Sequence, residues 1–444
     1  MIPRRIWGVE TEYGITCASL DGGVPPIDAD EAARHMFRPV VASGRSTNVF
    51  LKNGGRLYLD VGSHPEYATA ECDTLPDLLA QDRAGCEMLA ELADAASAEL
   101  EAQAVRGRLH LFRNNVDSAG NSFGCHENYL VRRRPDFPAM VASLIPYFVS
   151  RQIVVGAGYV TGGALAFSQR ATQTWDSTSS ATTRSRPIVN TRDEPHADVD
   201  KYRRMHVIVG DSNMAEGSTL VKVAATNLVL AAAEQGARFG LELTDPMRAI
   251  REFSTDLTGT VTAELTDGRR MTAVAIQRYY LDAVAELATE PWHLLAVDLW
   301  RRGLEAVATG RHDVVDTELD WAIKQKLFRG YGARAGASDA GLKRLALAYH
   351  DTTERLRDRM EERGLIRRFT TPEAVRHAAE HPPATTRAAL RAAFVRAAQE
   401  ARRDHAVDWM HLKLADPSQR AVVLFDPFAT EDEAAAALIL ATRS

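Results

Sequence analysis

The sequence predicts an α+β protein, in which an antiparallel sheet packs against helices and a small domain follows at the C-terminus. Two observations carry this prediction. Strand-like segments dominate the first half and mostly alternate polar with apolar side chains; they cover residues 5–15, 56–60, 66–71, 108–114, 125–133 and 203–211. After a hairpin marked by Asp267-Gly268, the pattern becomes almost wholly helical. Helices segregated on one face of an antiparallel sheet define an α+β fold, which does not suit a parallel nucleotide-binding sheet.

The predicted helices have recognisable ends. Thr74-Leu-Pro-Asp77 forms a capping box with proline in the first turn. An amphipathic segment over residues 218–235 is expected to end at Gly236 in a left-handed cap. Four further helical segments follow the hairpin, at residues 276–287, 294–307, 315–328 and 342–349.

A domain boundary is predicted near the pair Pro382-Pro383. The stretch from residue 370 to 383 resembles the entry to a separate module, so we expect a large catalytic domain over residues 1–369 and a small C-terminal domain over residues 370–444. The small domain is expected to hold a helix at residues 386–400 and strands at residues 407–414 and 421–425.

Composition limits the partners and the compartment. The 444 residues carry 53 Lys and Arg against 59 Asp and Glu, a net charge of −6, which argues against binding to nucleic acid. No apolar stretch approaches the roughly 18 residues that span a bilayer. The four cysteines form no CxxC pair. We therefore expect a cytoplasmic protein that binds neither nucleic acid nor membrane.

Two carboxylates on the first strand predict a metal site. Glu10 and Glu12 are two residues apart, so the period of a strand places both on one face of the sheet. Like charges side by side repel unless cations or arginines neutralise them, which indicates a hard metal with oxygen ligands. The alternative is an exposed polar strand face.

A second set of functional side chains alternates with leucines. Arg56, Tyr58 and Asp60 share one face of their strand, and Glu66 and Thr69 follow after a Gly-Ser-His-Pro turn. One hairpin then offers an arginine for phosphate, a tyrosine, two carboxylates and a hydroxyl. The alternative, an exposed polar hairpin, does not need these residues in register.

The same pattern recurs on two more strands. His126 pairs with Asn128 on one face, and Arg204 with His206 on another. A single histidine in a strand is more often hydrogen-bonded structure than a ligand. Repetition over several strands favours a sheet-floored active site that suits Mg²⁺ bridging nucleotide phosphates. The common phosphate-loop, zinc-protease and nucleophile-elbow motifs are absent from the sequence, and Gly156-Ala-Gly158 fits a turn better than a dinucleotide motif.

Four stretches carry a resemblance to a known family. They are Gly8-Val-Glu10-Thr-Glu12-Tyr13-Gly14, the hairpin at residues 56–72, residues 114–129 and residues 179–198. They resemble the family of Pup ligases and Pup deamidases of actinobacteria, and the match runs nearly end to end. The resemblance implies a glutamine synthetase-like fold, with a curved antiparallel sheet backed by helices and a small C-terminal domain.

The resemblance also implies a reaction. ATP phosphorylates the γ-carboxylate of the C-terminal glutamate of Pup, a small disordered ubiquitin-like protein, and a lysine of a target protein displaces the phosphate. The isopeptide bond marks the target for proteasomal degradation. The carried-over residues are Glu10, Tyr58 and Glu66 for Mg²⁺, Arg56, Thr69 and Trp409 for ATP, and Asp60 as the catalytic base, with Glu12, His126, Asn128, Arg204 and His206 as further candidates.

Two segments depart from the family's pattern. The family usually carries Gly-Arg-Gly after the position of Asp351, where this chain reads Thr-Thr-Glu-Arg-Leu-Arg, and the segment between Gly158 and Ser168 is short. The nearest alternative function is the Pup deamidase and depupylase, which typically has a long insertion where only about forty residues separate Glu12 from Gly54 here. A catalytically silent Pup-binding scaffold is the other alternative.

Overall fold

A computed structural model of the chain describes residues 2–60, 62–117, 119–161, 163–181, 186–333, 338–416 and 421–443. Residues 182–185, within the fourth family-like stretch, lie outside this set. Among the described residues, no helix is both long enough and apolar enough to cross a bilayer. All four cysteines are buried free thiols.

The strands of the described chain form one large sheet and several small ones. In chain order they are β1 (Trp7–Glu12), β2 (Gly14–Ser19), β3 (Asn48–Phe50), β4 (Arg56–Leu59), β5 (Pro65–Ala68), β6 (Gly107–Phe112), β7 (Cys125–Arg132), β8 (Tyr159–Thr161), β9 (Ala164–Ala166), β10 (Asp176–Ser179), β11 (Pro187–Asn190), β12 (Tyr202–Val207), β13 (Thr262–Glu264), β14 (Arg270–Thr272), β15 (His405–Val407), β16 (His411–Leu414) and β17 (Val422–Val423).

The helices lie mainly in the second half of the chain. They are α1 (Ala29–Gly44), α2 (Leu75–Ala102), α3 (Phe137–Ser150), α4 (Gln152–Val155), α5 (Glu216–Glu234), α6 (Pro246–Thr255), α7 (Ala273–Val284), α8 (Pro291–Thr309), α9 (Asp320–Gly332), α10 (Asp339–His350), α11 (Leu356–Glu362), α12 (Pro372–Glu380), α13 (Ala388–Glu400) and α14 (Glu433–Arg443).

The central sheet has eight strands in the order β10-β11-β12-β7-β1-β5-β4-β3. Its neighbours run antiparallel, as the sequence predicts, except at one edge, where β10 and β11 are parallel. One face packs on a large apolar core to which helices α2, α3, α5, α7 and α8 contribute. The opposite face is left for polar side chains.

The strand predicted over residues 5–15 is two strands in different sheets. β1 lies in the central sheet, and β2 pairs with β6 in a separate two-stranded sheet. The break falls at Tyr13, where Glu12 and Tyr13 are both buried and alternation fails. Tyr13 N donates to Pro65 O at 2.8 Å, which continues the ladder to β5 by one pair, and from Gly14 onward the chain pairs with β6 instead.

The predicted helix ends agree with the structure. Thr74 is the N-cap of α2 and its hydroxyl accepts a hydrogen bond from Asp77 N. α5 ends one residue before Gln235, and Gly236 takes a positive φ of 97°. α5 is buried along most of its length, which explains its apolar composition.

The C-terminal residues have a small core of their own. α13, α14 and β15–β17 enclose Phe394, Leu412, Leu414 and Leu438. The strand predicted over residues 407–414 is two strands, because Asp408 Oδ1 accepts hydrogen bonds from the amides of two later residues and closes a turn. α12, by contrast, packs on α2 of the large domain. The boundary between residues 369 and 370 stays a prediction.

Candidate active site

The sheet register places the predicted residues of the hairpin and the first strand on one face. Across the ladder, Tyr58 lies opposite Glu66, and Glu66 lies opposite Glu12. Two residues further along the same ladders, Arg56 lies opposite Ala68, and Ala68 lies opposite Glu10. Directly opposed residues of antiparallel strands share a face, so these side chains converge on the open side of the sheet.

The same face continues across β7 and β12. His126 lies opposite Glu10, and His206 lies opposite Asn128. Arg204 is two residues before His206 and therefore on the same face. Its guanidinium donates to Asn128 Oδ1 at 3.0 Å and to Glu194 Oε2 at 3.3 Å. The predictions that rested on strand period are thus consistent with the geometry.

The side chains on this face form a cleft of about 650 Å³. Its lining includes the candidates Glu10, Glu12, Arg56, Tyr58, Asp60, Glu66, His126, Arg204, His206 and Trp409. We call this space the catalytic cleft.

Carboxylates and histidines crowd together at the centre of the cleft. One possible ligand atom from each of Glu10, His126 and His206 lies within 4.8 Å of the others, and the same holds for Glu12, Glu66 and His126. His126 Nδ1 is 3.5 Å from Glu10 Oε2, and the Tyr58 hydroxyl donates to Glu10 Oε1. His126 bridges the two clusters.

The electrostatics of these groups differ according to their neighbours. Burial and the charges of Glu10 and Glu12 raise the pKa of Glu66 well above its usual value. Burial also opposes ionisation of Glu10, but the hydrogen bond and charge of His126 outweigh it and hold the pKa of Glu10 well below its usual value. Burial and the neighbouring Glu10 raise the pKa of Tyr58, so its phenol stays protonated. Crowded carboxylates of this kind are stabilised by a cation.

The residues present fit a divalent metal ion. His206 is 7% exposed, and its Nε2 has no hydrogen-bond partner among the described residues. Burial, followed by the charges of His126 and Arg204, holds the pKa of His206 well below its usual value, so the imidazole is neutral with a lone pair available. The carboxylate oxygens of Glu10, Glu12 and Glu66 supply the hard donors that Mg²⁺ prefers.

Asp60 lies at the rim of the cleft on a tight turn. The turn is closed by hydrogen bonds from Asp60 N to His64 O at 3.0 Å and from Ser63 N to Asp60 O at 3.1 Å. His64 holds the turn against the link between β1 and β2, since its Nδ1 lies 3.1 Å from Tyr13 O, and its ring stacks on Phe123. Asp60 is half-buried and faces the cleft.

A second, mostly apolar cavity of about 90 Å³ adjoins the cleft. We call it the side cavity. It is lined by Thr69, Asn128, Arg204 and Trp409 among polar and aromatic groups, together with apolar side chains of β1 and β7. Thr69 is buried, and its hydroxyl accepts a hydrogen bond from Val9 N at 3.1 Å, which leaves its own proton free to donate.

Trp409 reaches this site from the C-terminal residues. It sits on the turn closed by Asp408 and lines both the side cavity and the catalytic cleft. Its ring packs edge-on against Phe50, with centroids 4.9 Å apart. Arg56, which faces the cleft from β4, donates to Asn48 Oδ1 at 2.8 Å and lies 4.2 Å from the Tyr58 ring centre.

A family model described as Pup-ligase protein matches residues 5–413 of the chain. The chain belongs to the Pup-ligase family. A protein named Pup--protein ligase from Xylanimonas cellulosilytica is 53% identical over 448 residues, covering 97% of this chain and 98% of its own length. The protein of that name from Sanguibacter keddieii is 52% identical, with 98% of both chains covered. The predicted family is therefore confirmed.

Solved structures agree. The Pup ligase PafA, in a crystal structure of its complex with Pup, matches with a TM-score of 0.92 and 42% identity, covering 99% of this chain and 92% of that one. A structure of PafA in complex with ADP matches with a TM-score of 0.84 and 43% identity, covering 95% of each chain. The predicted α+β fold class is confirmed.

The site of this Pup-ligase family chain contains residues to which the sequence analysis gave no role. They are Arg170, Arg186, Asn190, Arg192, Glu194 and His196. Arg170 is 3% exposed and donates to Ser122 Oγ and to two backbone carbonyls, and no described carboxylate pairs with it directly. It lies outside any alternating strand, so no period could reveal it.

The departure after Asp351 has a local structural role in this Pup-ligase family chain. Asp351 Oδ1 accepts hydrogen bonds from the amide and hydroxyl of Thr353, and Oδ2 lies 2.7 Å from His110 Nδ1. Thr352 donates to Leu111 O at 3.0 Å. The Thr-Thr pair therefore fastens the end of α10 to β6.

Proposed function

We propose that the chain uses the catalytic cleft to join the C-terminal glutamate of Pup to lysines of target proteins at the expense of ATP. The observation that carries this proposal is the arrangement of the sheet face. A carboxylate-rich centre lies between a mostly apolar cavity with an indole wall and a turn that holds the Asp60 carboxylate at the cleft rim. Relatives named Pup--protein ligases, at about half identity over nearly the whole chain, support it.

The side cavity suits the base and ribose of the nucleotide. Trp409 offers an aromatic wall, and Thr69 offers a free hydroxyl proton. The cavity opens toward Arg56 and Arg204 through the shared lining of the cleft, where their guanidiniums would meet the phosphates. The ADP complex of PafA supports the use of a nucleotide.

Glu10, Tyr58 and Glu66 would hold Mg²⁺ at the centre of the cleft, with Glu12, His126 and His206 as adjacent donors. When bound, the ion supplies positive charge that neutralises the phosphate oxygens. The protonated phenol of Tyr58 offers a neutral oxygen, and its hydrogen bond to Glu10 orients that carboxylate.

In the first step the γ-carboxylate oxygen of the terminal glutamate attacks the γ-phosphorus of ATP. A new carbon–oxygen–phosphorus linkage forms, the bond to the ADP oxygen breaks, and ADP leaves. Arg56 and Arg204 stabilise charge on the transferred group. The step replaces a carboxylate oxygen, which is a poor leaving group, with phosphate.

In the second step Asp60 accepts a proton from the ε-ammonium of the target lysine. The neutral amine attacks the acyl carbon, the carbon–oxygen bond to phosphate breaks, and the isopeptide bond forms. The nitrogen loses a second proton, which the departing phosphate accepts. Asp60 fits this role because it lies at the open rim, where a protein-borne lysine can reach it.

The partners follow from this chemistry. We propose Pup and lysine-bearing proteins as substrates and the cytoplasm as compartment; the crystal structure of PafA bound to Pup supports Pup as the partner. Because a disordered chain must be ordered on docking, we expect contacts well beyond its terminal glutamate.

The test is an incubation with Mg²⁺, ATP, a lysine-bearing target and Pup that ends in either glutamate or glutamine. We expect conjugation of glutamate-ended Pup with one ADP released per bond. Efficient deamidation of glutamine-ended Pup without conjugation would identify a deamidase instead. Pup binding with no nucleotide turnover would identify a scaffold.

A further inference from the structure

A buried ion cluster joins the central sheet to the C-terminal residues beside the side cavity. Glu71 follows β5, two residues after Thr69, and is 7% exposed. Its Oε1 accepts hydrogen bonds from Arg387 Nε at 3.0 Å and from Arg391 Nη1 at 2.9 Å, and its Oε2 accepts from Arg391 Nη2. Both arginines come from the start of α13 and are fully buried.

The two arginines also hold the residues that enclose the side cavity. Arg391 donates to Trp409 O at 3.1 Å and to Gly54 O at 2.9 Å, and its guanidinium carbon lies 5.0 Å from the Trp409 ring centre. Arg387 donates to Leu424 O at 2.7 Å and to His196 O. The Glu71 carboxylate thus orients the guanidiniums of Arg391 and Arg387. These two guanidiniums in turn hold the backbone carbonyls of Trp409 and His196.

We infer that Glu71 is a positioning residue for the nucleotide, which acts through Arg391 and Arg387 to set Trp409 and His196 against the side cavity. The inference rests on the proposed function, because it takes the side cavity as the site of the base. Glu71 lines the cavity, yet its carboxylate oxygens are occupied by the two arginines. It therefore acts on the nucleotide through the C-terminal residues.

The chemistry of the cluster requires arginine at position 391. Its planar guanidinium reaches a carboxylate and two carbonyls at once and lies against the faces of Phe50 and Trp409. A lysine ammonium in the same place keeps the charge, but it is too compact to reach all three acceptors and has no planar group to stack on the indole. Arg391→Lys therefore removes the positioning while it preserves the charge balance with Glu71.

The test uses the full chain and three variants. Glu71→Gln and Arg391→Lys should each raise the KM for ATP and the Kd for MgADP by about tenfold or more, with kcat at saturating ATP and the KM for Pup within about threefold of wild type. Asp82→Asn is the matched control, since Asp82 is buried and both of its carboxylate oxygens accept hydrogen bonds from Arg113 Nη2, outside the Glu71 cluster. Asp82→Asn should lower the melting temperature of the protein without raising the KM for ATP selectively over the KM for Pup.

The readouts separate this inference from the proposed function. Trp409→Ala should weaken MgADP binding; if it does not, the nucleotide role of Trp409 fails. If Trp409→Ala weakens binding while folded Glu71→Gln and Arg391→Lys stay within twofold of wild type, the positioning role fails alone. Should Glu71→Gln not fold, Arg391→Lys decides, and a loss of kcat with unchanged MgADP affinity in that variant also overturns the inference.

Discussion

In the proposed mechanism, Asp60 is the base on which the ligation step depends. Asp60→Asn keeps the size of the side chain but cannot take up the proton of a lysine ammonium. We expect ligation to fall by at least about 100-fold, with MgATP and Pup binding retained. Initial rates of conjugation, together with nucleotide affinity, measure this. A variant that conjugates within a few-fold of wild type removes the base role from Asp60.

Glu10 and Glu66 are expected to be essential for metal-dependent nucleotide binding. Each supplies an oxygen to a crowded centre in which the pKa of Glu66 is raised by burial and by neighbouring carboxylates. Glu10→Ala and Glu66→Ala should abolish the part of ATP affinity that depends on Mg²⁺. Calorimetric titration of ATP with and without Mg²⁺ gives the difference, and an unchanged difference in both variants contradicts the metal assignment.

For single site residues, the sequence predicts the placement of those that follow the strand period and misses the placement of those that do not. Glu10, Glu12, Tyr58 and Glu66 share a face because alternation is a local property of the chain. His196 instead reaches the cleft through a backbone of positive φ, 49°, whose position depends on distant contacts. No local pattern reports such placement.

The ends of helices are likewise determined by residues that are close in the sequence. Thr74 caps the start of α2 and Gly236 follows the end of α5, as their sequence motifs predict, because capping involves only neighbouring residues. The strand over residues 5–15 is divided because the chain up to Tyr13 pairs with β5 and the chain from Gly14 pairs with β6, and both partners lie far away in the sequence.

Thr74 provides a test of stability that should leave catalysis unchanged. Its hydroxyl accepts a hydrogen bond from Asp77 N in the first turn of α2, and Thr74 is exposed and lines neither the catalytic cleft nor the side cavity. Thr74→Ala should lower the free energy of unfolding by about 1 kcal/mol, with kcat and both KM values unchanged. Chemical denaturation and steady-state ligation measure the two quantities. Thr74→Ser, which keeps the hydroxyl, is the control and should restore most of the loss.

For the whole molecule, the cluster at Glu71 makes stability depend on pH. Burial opposes its ionisation, but Arg391 and Arg387 outweigh that effect and lower the pKa of Glu71 to about 2, against 4.5 for the free group. The unfolded chain therefore takes up the proton first as pH falls. The stabilisation is complete above about pH 4.5 and is lost between that value and pH 2.

The Glu71→Gln variant has no carboxyl group at this position, so its stability lacks this pH dependence. Between pH 6 and pH 3.5, wild type should lose on the order of 1 kcal/mol more unfolding free energy than the variant, because only the wild-type carboxylate takes up a proton on unfolding in this range. Urea denaturation at both pH values gives the comparison. Parallel losses in the two proteins would show that Glu71 is not held ionised by the arginines.

The central claim is that the cleft activates a carboxylate by phosphorylation before an amine attacks it. Pup labelled with ¹⁸O in the γ-carboxylate of its terminal glutamate tests this most directly, with mass analysis of the phosphate released during ligation to a lysine-bearing target. Because the acyl carbon–oxygen bond breaks when phosphate leaves, each phosphate should carry one ¹⁸O atom per bond formed. Conjugation that releases unlabelled phosphate would contradict the proposed mechanism.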